Sequence, residues 1–457
     1  MAGLSLKHLD PSQRAAVLHE TGPLLVLAGA GSGKTRVLTH RIASLVIERG
    51  VSPERILAVS FTNKAAEVMG ERMVPLVGKE RAKKLWLSTF HSFGVRFARE
   101  EVKALFSERG RFSIFDQGDA VGLVREIVRR EGIGDRKLDL WGVLARISVW
   151  KNKLLGPHEV RASEEIEYDR VALEVYPHYE AGLRSMRALD FDDLVVRPAR
   201  LLRDRKDLRE KWSARFTHLL VDEFQDTNAA QLDIVKLLVG PDRNVCVVGD
   251  DDQAIYGWRG ADVGNILDFD KMFPRTKIVK LERNYRSFAP ILDVANNAIS
   301  RATGKRHGKV LRATRTGGDR VRLVRVGTAE EEAKLVCSEI RQLRKEGRDF
   351  SEIAVLYRSN LQARVVEEEL RVEGFALRVV GGQQFFEKKE VKDAIAYLRF
   401  AANPKDELAL RRILNVPARG IGDVTIERIE RHALAKGKSF SKVALEPSAV
   451  ADLPDGA

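Results

Sequence analysis

The chain has 457 residues, of which 44% are hydrophobic and 31% charged, and this suits a globular protein of about three domains. Seventy-eight Lys and Arg against 65 Asp and Glu give a net charge of +13, which favours an acidic partner such as nucleic acid, with general basicity as the alternative. The two cysteines form no CxxC pair, which argues against a zinc site and a disulfide framework. The sequence shows no signal segment and no apolar run near ~18 residues, which argues against a membrane span and predicts a cytoplasmic protein.

Short β-branched runs alternate with longer helical patterns and predict a parallel α/β sheet. The predicted strands are residues 24–27, 56–60, 219–222, 245–249 and 278–281. Their continuous apolar character indicates helices on both faces of the sheet. Similar runs at 321–326, 353–357 and 377–380 predict a second α/β unit.

A run of small residues follows the first predicted strand and precedes a helical pattern. It consists of Ala28, Gly29, Ala30, Gly31, Ser32, Gly33, Lys34 and Thr35, followed by Arg36. Small residues let backbone N–H groups surround phosphates, and the helix N-terminus adds its dipole. In this motif Lys34 contacts the β- and γ-phosphates and the Thr35 hydroxyl binds Mg²⁺. The segment predicts an ATP site with Mg²⁺, and the alternative is an accidental glycine-rich turn.

Two carboxylates stand at the end of the strand predicted at 219–222. A phosphate loop needs such a pair to order Mg²⁺ and water. Asp222 suits the metal, and Glu223 suits the base that orients the water at the γ-phosphate. A helix-capping cluster is the alternative.

The loop after residues 245–249 combines three aspartates, an amide, two aromatic residues and an arginine. Gln253 stands where an amide can sense a γ-phosphate. Tyr256 and Trp258, with Arg259 beside them, can stack on bases. A packed Tyr/Trp pair beneath the loop is the alternative.

Two further loops mix aromatic, hydroxyl, amide and basic groups, which suits a single-stranded backbone with stacked bases. Their candidate DNA contacts are Phe61, Thr62, Asn63, Lys64, Thr89 and His91. By itself, His91 is more typical of a structural histidine.

The order of the motifs is more specific than any one of them. Leu-Asp-Pro-Ser-Gln precedes the phosphate loop, Leu-Asp-Phe-Asp-Asp-Leu stands at 189–194, and Leu-Glu-Arg-Asn-Tyr-Arg-Ser stands at 281–287. Together the motifs resemble those of the UvrD/Rep/PcrA family of superfamily 1 DNA helicases. The resemblance continues through 357–364, 381–386 and 415–422.

This resemblance implies ATP-driven 3′ to 5′ movement along single-stranded DNA, and unwinding at single-strand/duplex junctions, in repair or replication. It implies two RecA-like motor domains with ATP between them. Gln13 would contact the adenine and Tyr285 would stack on it. Arg286 would reach the γ-phosphate from the second motor domain as an arginine finger.

The same resemblance implies further DNA contacts. Gln253 would link the γ-phosphate to DNA, and Arg358 and Asn360 would lie with the aromatic loops along the strand. The hairpin at 420–422 resembles a backbone-amide phosphate clamp on duplex DNA, and an ordinary helix–helix turn is the alternative.

The expected fold is therefore α/β, with P-loop RecA-like parallel-sheet motor domains and helical insertion domains. Residues 1–100 and 190–275 would form the first motor domain, and the charged, helical stretch 101–189 would be inserted between them. Residues 276–385 would form an incomplete second motor domain, and 386–457 would begin a second helical insertion.

Two later family motifs, His-x-x-Lys-Gly-Leu-Glu and Arg-Arg-Leu-x-Tyr-Val-x-x-Thr-Arg, do not occur in the 457 residues. Two interpretations stay open. Either a helicase sequence is truncated at its C-terminus, or the chain is an ATP- and DNA-binding module without motor activity.

Overall fold

A computed structural model describes residues 4–106, 110–133, 138–161, 167–380, 388–404, 406–436 and 438–450. The chain divides into two compact units, Met1–Arg320 and Val321–Ala457. Within the described ranges, every helix is too short or too polar to cross a membrane.

The first unit is built on a parallel six-stranded sheet with the order β3-β2-β6-β7-β1-β8. Two pairs of short strands, β4 with β5 and β9 with β10, lie outside it. The strands are β1 (Leu24–Ala28), β2 (Ile56–Ser60), β3 (Trp86–Thr89), β4 (Ser113–Ile114), β5 (Ala188–Leu189), β6 (His218–Val221), β7 (Val245–Gly249), β8 (Lys277–Leu281), β9 (Arg283–Phe288) and β10 (Arg312–Arg315).

Helices connect these strands and cover the sheet. They are α1 (Pro11–Leu18), α2 (Lys34–Ile47), α3 (Asn63–Val77), α4 (Lys79–Lys84), α5 (Phe90–Glu100), α6 (Val102–Phe106), α7 (Gln117–Glu131), α8 (Leu140–Asn152), α9 (Glu167–Ser185), α10 (Asp193–Asp204), α11 (Lys206–Arg215), α12 (Ala229–Leu238), α13 (Gly264–Leu267), α14 (Phe269–Met272) and α15 (Ala289–Ser300).

The sheet has a hydrophobic core on each face. Leu25 and Leu27 of β1 point into a core with α5, α10 and α12, whereas Leu24 and Val26 point into one with α1, α2 and α3. Because successive side chains of a strand alternate between faces, a strand covered on both sides is apolar throughout. The predicted parallel α/β architecture is confirmed, and all five strands predicted for this sheet are present.

Two strands depart from the prediction. β8 was expected to be a buried strand, but it lies at the edge of the sheet, where Ile278 is exposed and Val279 and Leu281 are buried. β3 forms the other edge and was not predicted, because Trp-Leu-Ser-Thr is too short and polar to show a strand pattern.

The stretch between β3 and β6 contains helices α5 to α11 and one short strand pair. Lys151 at the end of α8 is fully buried, and its ammonium pairs with Glu180, Asp190 and Asp193. A buried cation with several carboxylates fixes how helices meet, since removing one partner leaves an uncompensated charge. The predicted boundaries of the insertion stay a prediction.

The second unit is helical in its described residues. Its helices are α16 (Ala329–Lys345), α17 (Asn360–Val372), α18 (Lys389–Ala402), α19 (Glu407–Ile413), α20 (Asp423–Ala435) and α21 (Phe440–Leu445). The strands predicted at 321–326, 353–357 and 377–380 are wrong for this structure, because none of these segments pairs with another described segment. Leu323 and Leu356 are 86% and 93% exposed, so β-branched composition alone, without a neighbouring strand, did not produce a sheet.

Candidate functional site

The phosphate loop joins β1 to α2 at the carboxyl edge of the sheet. Gly31 and Gly33 have φ of +68° and +90°, which favours glycine, and α2 begins at Lys34. The Gln13 amide donates to the carbonyl oxygen of Ser32 at 2.9 Å. A Cβ at position 33 would come within 2.8 Å of this amide, so the loop and Gln13 form one packed structure.

Strand β9 lies directly against this loop. The Tyr285 N–H donates to the Gly31 carbonyl at 2.9 Å, and the Tyr285 hydroxyl donates to Asp10 at 2.7 Å. Buried Asn284, which was not predicted as a site residue, donates to the Ala30 carbonyl at 2.6 Å. Its side-chain oxygen also accepts from the backbone N–H of Arg286, whose own side chain is exposed. The structure therefore brings Gln13, Tyr285 and Arg286 to the phosphate loop.

The acidic end of β6 faces the same loop. The Lys34 ammonium lies 3.1 Å from a Glu223 carboxylate oxygen, and Thr35 follows in the first turn of α2. Glu223 has φ of +50°, which turns the chain sharply at the strand end. Burial, then the charge of Glu223, raises the pKa of Asp222 to about 6 despite Lys34.

Two polar neighbours of this pair were not singled out from the sequence. The Gln225 amide donates to Glu223 at 3.0 Å and to Asp226 at 3.1 Å, and its oxygen accepts from the Asp250 N–H at 2.9 Å. Burial, then the charge of Glu223, raises the pKa of Asp226 to about 6. The available sequence signal was the pair Gln225-Asp226 shortly after Asp222-Glu223, but the contact of Gln225 with Asp250 depends on the fold.

The loop after β7 carries Gln253 beside three acidic residues. Within the described residues, one group of three acidic side chains is close enough to share a metal ion, and it is formed by Asp250, Asp251 and Asp252. The Lys309 ammonium lies 2.6 to 2.7 Å from an oxygen of each carboxylate. The Gln253 amide donates to Asp250. The ammonium group of Lys309 thus occupies the position between the carboxylates that a metal ion would take.

An aromatic surface continues from Gln253. The ring centroids of Phe61 and Tyr256 are 5.0 Å apart, and those of Tyr256 and Trp258 are 6.5 Å apart. The Arg259 guanidinium lies 4.6 Å from the Trp258 ring centroid. Trp258 is 68% exposed, so the alternative of a packed Tyr/Trp pair beneath the loop is wrong.

The polar residues after β2 and β3 meet at the same edge. Thr62 and Thr89 cap α3 and α5 with their hydroxyl oxygens, and the Thr89 hydroxyl donates to the Asn63 side chain at 3.3 Å. Lys64 forms an exposed ion pair with Glu67. Each of these groups has a local structural role, and residues 62–64 directly follow Phe61 of the aromatic surface in the chain.

His91 contacts Phe191, which was not predicted as a site residue. Its ring centroid is 4.9 Å from that of Phe191, which is 56% exposed. Burial lowers the pKa of His91, so the ring is neutral at pH 7. The available sequence signal was a phenylalanine flanked by aspartates, Asp190 and Asp192.

The remaining predicted residues belong to the second unit. Arg358 and Asn360 are exposed on either side of Ser359, the N-cap of α17. In the hairpin at 420–422, Gly420 has φ of +75° and the Ile421 N–H donates to Asn415 at 3.3 Å. Residues 381–386, which extend the family resemblance, lie outside the described residues.

Comparison with known proteins covers both units. The family model for the UvrD/REP helicase N-terminal domain matches residues 9–274, and the model for the UvrD-like helicase C-terminal domain matches residues 279–441. Similar curated proteins include the ATP-dependent DNA helicases PcrA of Staphylococcus epidermidis and of Staphylococcus aureus, each 42% identical over 435 residues. These alignments cover 95% of this chain and 59% of each relative, so the chain spans less than two thirds of their length.

Proposed function

Because the chain belongs to the UvrD/REP helicase family, we propose that it hydrolyses ATP and uses the energy to move 3′ to 5′ along single-stranded DNA. The observation that carries this proposal is the contact of Lys34 with Glu223 at one sheet edge, with the exposed aromatic surface at the same edge. A motor needs its hydrolytic groups and its DNA contacts on one rigid frame.

Within the proposed ATP site, Lys34 and the loop N–H groups bind the phosphates. Glu223 accepts a proton from the water that attacks the γ-phosphorus, and ADP leaves. Thr35 and Asp222 would hold Mg²⁺, which neutralises phosphate charge when bound. The residues fit a divalent cation because Asp222 and Asp226 are buried with raised pKa values, and Asp226 has a buried oxygen without a hydrogen-bond partner among the described residues.

The nucleotide base would be recognised by Gln13 and Tyr285, since both already contact the loop or its neighbour Asp10. Arg286 supplies a cation for the γ-phosphate. It follows Tyr285 on β9, and β9 is hydrogen-bonded to the phosphate loop. This arrangement gives one strand two roles in nucleotide binding.

Single-stranded DNA would lie across the aromatic surface. Bases stack on Tyr256 and Trp258, and the polar ends of α3 and α5 contact the backbone. Arg358 and Asn360 add contacts from the second unit. The proposed substrates are junctions between single-stranded and duplex DNA. The proposed process is DNA repair or replication, and the proposed location is the cytoplasm.

The test uses the full chain. ATP hydrolysis is measured with Mg²⁺, with and without an unstructured single-stranded oligonucleotide, and unwinding is measured on duplexes with a 3′ or a 5′ tail. We expect DNA to stimulate hydrolysis and the 3′-tailed duplex to be unwound preferentially. Binding of ATP and DNA without unwinding would support a module without motor activity, and absence of nucleotide binding would refute the site.

A further inference from the structure

We propose that Lys309 is a positioning residue for ATP hydrolysis that acts through Asp250 on both Gln253 and Glu223. The proposal rests on the function proposed above. Lys309 stands between α15 and β10, within the part of the chain that matches the C-terminal family domain, whereas its partners lie in the part that matches the N-terminal one.

The environment of Lys309 is closed and strongly acidic. Its side chain is 2% exposed, and those of Asp250, Asp251 and Asp252 are 4%, 1% and 13% exposed. The Arg306 guanidinium lies 2.6 Å from a second oxygen of Asp252. Three carboxylates therefore face two cations, and loss of Lys309 would leave the buried charges of Asp250 and Asp251 without a cationic partner.

Asp250 connects this cluster to Gln253. One oxygen of Asp250 contacts Lys309 at 2.6 Å, and the other accepts the Gln253 amide. The first oxygen also accepts the Asp252 N–H at 3.1 Å and so caps the short helical turn of residues 251–253, which ends at Gln253. The charge of Lys309 thus holds Asp250 in place for the residue proposed to sense the γ-phosphate.

A second route leads from Asp250 to the proposed base. The Asp250 N–H donates to the Gln225 oxygen at 2.9 Å, and the Gln225 amide donates to Glu223 at 3.0 Å. Glu223 in turn contacts Lys34 at 3.1 Å. A shift of Asp250 would therefore move Gln225 and disturb its hydrogen bond to Glu223, although Lys309 touches neither residue.

The neighbouring residues hold Lys309 firmly. The His307 N–H donates to Asp251 at 2.9 Å, and the His307 ring contacts the Ile266 carbonyl at 3.1 Å. The segment 306–309 is thus attached to the loop by backbone and side chains together. A displacement of Lys309 would therefore displace Asp250 and, through it, Gln253 and Glu223. A displacement of about 1 Å at a catalytic site costs on the order of 10²-fold in rate.

The decisive variant is Lys309→Met, which keeps the length of the side chain and removes the charge. We expect kcat for DNA-stimulated ATP hydrolysis to fall on the order of 10²-fold, with a much smaller change in KM for ATP. Lys305→Met is the matched control, because Lys305 is exposed and pairs with Asp268 on the surface. The control should retain the wild-type kcat.

Charge rescue separates positioning from a general loss of stability. Asp251 contacts Lys309 but neither Gln253 nor Gln225. The double variant Lys309→Met/Asp251→Asn restores the original charge balance of the cluster and should recover part of kcat. If the folded double variant recovers no activity, the proposal is contradicted. Where the single variant does not fold, the kcat of the double variant is compared with that of wild type instead.

An activity-independent measurement keeps this proposal distinct from the proposed function. In Lys309→Met, amide hydrogen exchange should accelerate in residues 249–256 and also in 223–228, with β2 and α5 unchanged. Exchange that changes only in 249–256, changes uniformly along the chain, or does not change would overturn the positioning role. If wild type hydrolyses no ATP, the proposed function fails while this result still tests Lys309.

Discussion

The loops that follow β6 and β7 both bring carboxylates to the same edge of the sheet, but their charges are balanced differently. In the described residues of the β6 loop, one ion pair joins Lys34 to Glu223, and the pKa values of Asp222 and Asp226 are raised to about 6. In the β7 loop, Lys309 contacts all three aspartates. Among the described residues, Asp222 and Asp226 of the first loop form no ion pair, whereas every aspartate of the second loop pairs with Lys309.

This difference in charge balance distinguishes the β6 loop, which is suited to binding a metal ion, from the β7 loop, whose role is structural support. Buried carboxylates with raised pKa values gain free energy when a divalent cation arrives, so the β6 loop is suited to Mg²⁺. Burial would raise the pKa of Asp252 as well, but the hydrogen bonds and charges of Arg306 and Lys309 hold it below its usual value. An acidic motif alone does not distinguish these two cases.

The largest expected effect tests the catalytic assignment in the β6 loop. Glu223→Gln keeps the size of the side chain and removes the proton acceptor, so single-turnover ATP hydrolysis should fall about 10²- to 10⁴-fold. Nucleotide affinity should persist, because the loop and Lys34 are unchanged. Glu210→Gln on the exposed side of α11 is the control, and an unchanged hydrolysis rate in Glu223→Gln would place the base elsewhere.

The next effect concerns the aromatic continuation of the β7 loop. Trp258→Ala should weaken single-stranded DNA binding by about 1–3 kcal/mol, because a stacking surface is lost. Fluorescence anisotropy of a labelled oligonucleotide at fixed salt measures this change. Leu18→Ala, an exposed apolar residue at the end of α1, should bind like wild type. Equal affinities of Trp258→Ala and wild type would remove this residue from the DNA contacts.

A smaller effect distinguishes the loops by pH. Since Mg²⁺ competes with protons for Asp222, whose pKa is about 6, apparent Mg²⁺ affinity of the ADP-bound chain should fall up to about tenfold per pH unit below 6. Calorimetric titration at several pH values measures it. ADP itself titrates in this range, so Asp222→Asn is the reference. The same pH dependence in both proteins would exclude Asp222 as the relevant ligand.

The smallest effect concerns the stability of the β7 loop. The folded pKa of Asp252 lies below its ordinary value of 3.8, so its stabilising contribution is present above pH 3.8 and is lost as pH falls through the folded pKa. Asp252→Asn should lower the free energy of unfolding by about 1 kcal/mol at pH 7, and the difference should shrink below pH 4. Urea unfolding measures it, and a constant difference would contradict the ion-pair explanation.

Much of the first sheet and its phosphate loop could be predicted from local patterns. Continuous apolar runs predict buried parallel strands, and Lys34 with Asp222 and Glu223 occupies fixed positions relative to strand ends. Lys309 could not be predicted, because its role depends on a fold that brings it to aspartates more than fifty residues earlier. The strands predicted in the described residues of the second unit are absent for a related reason. A strand requires a neighbouring strand as well as a β-branched composition.

The pairing of β8 also determines how the protein can be divided. The N-terminal family match ends at residue 274, but β8 begins at Lys277, pairs with β1 at five positions and contributes Leu281 to the core. A fragment cut at 274 would leave the strand of the phosphate loop as an unprotected edge, which invites aggregation. The boundary between the two family models and the boundary of the folded sheet therefore lie at different places in this chain. An exchange of domains between relatives would have to keep β8 with the N-terminal domain.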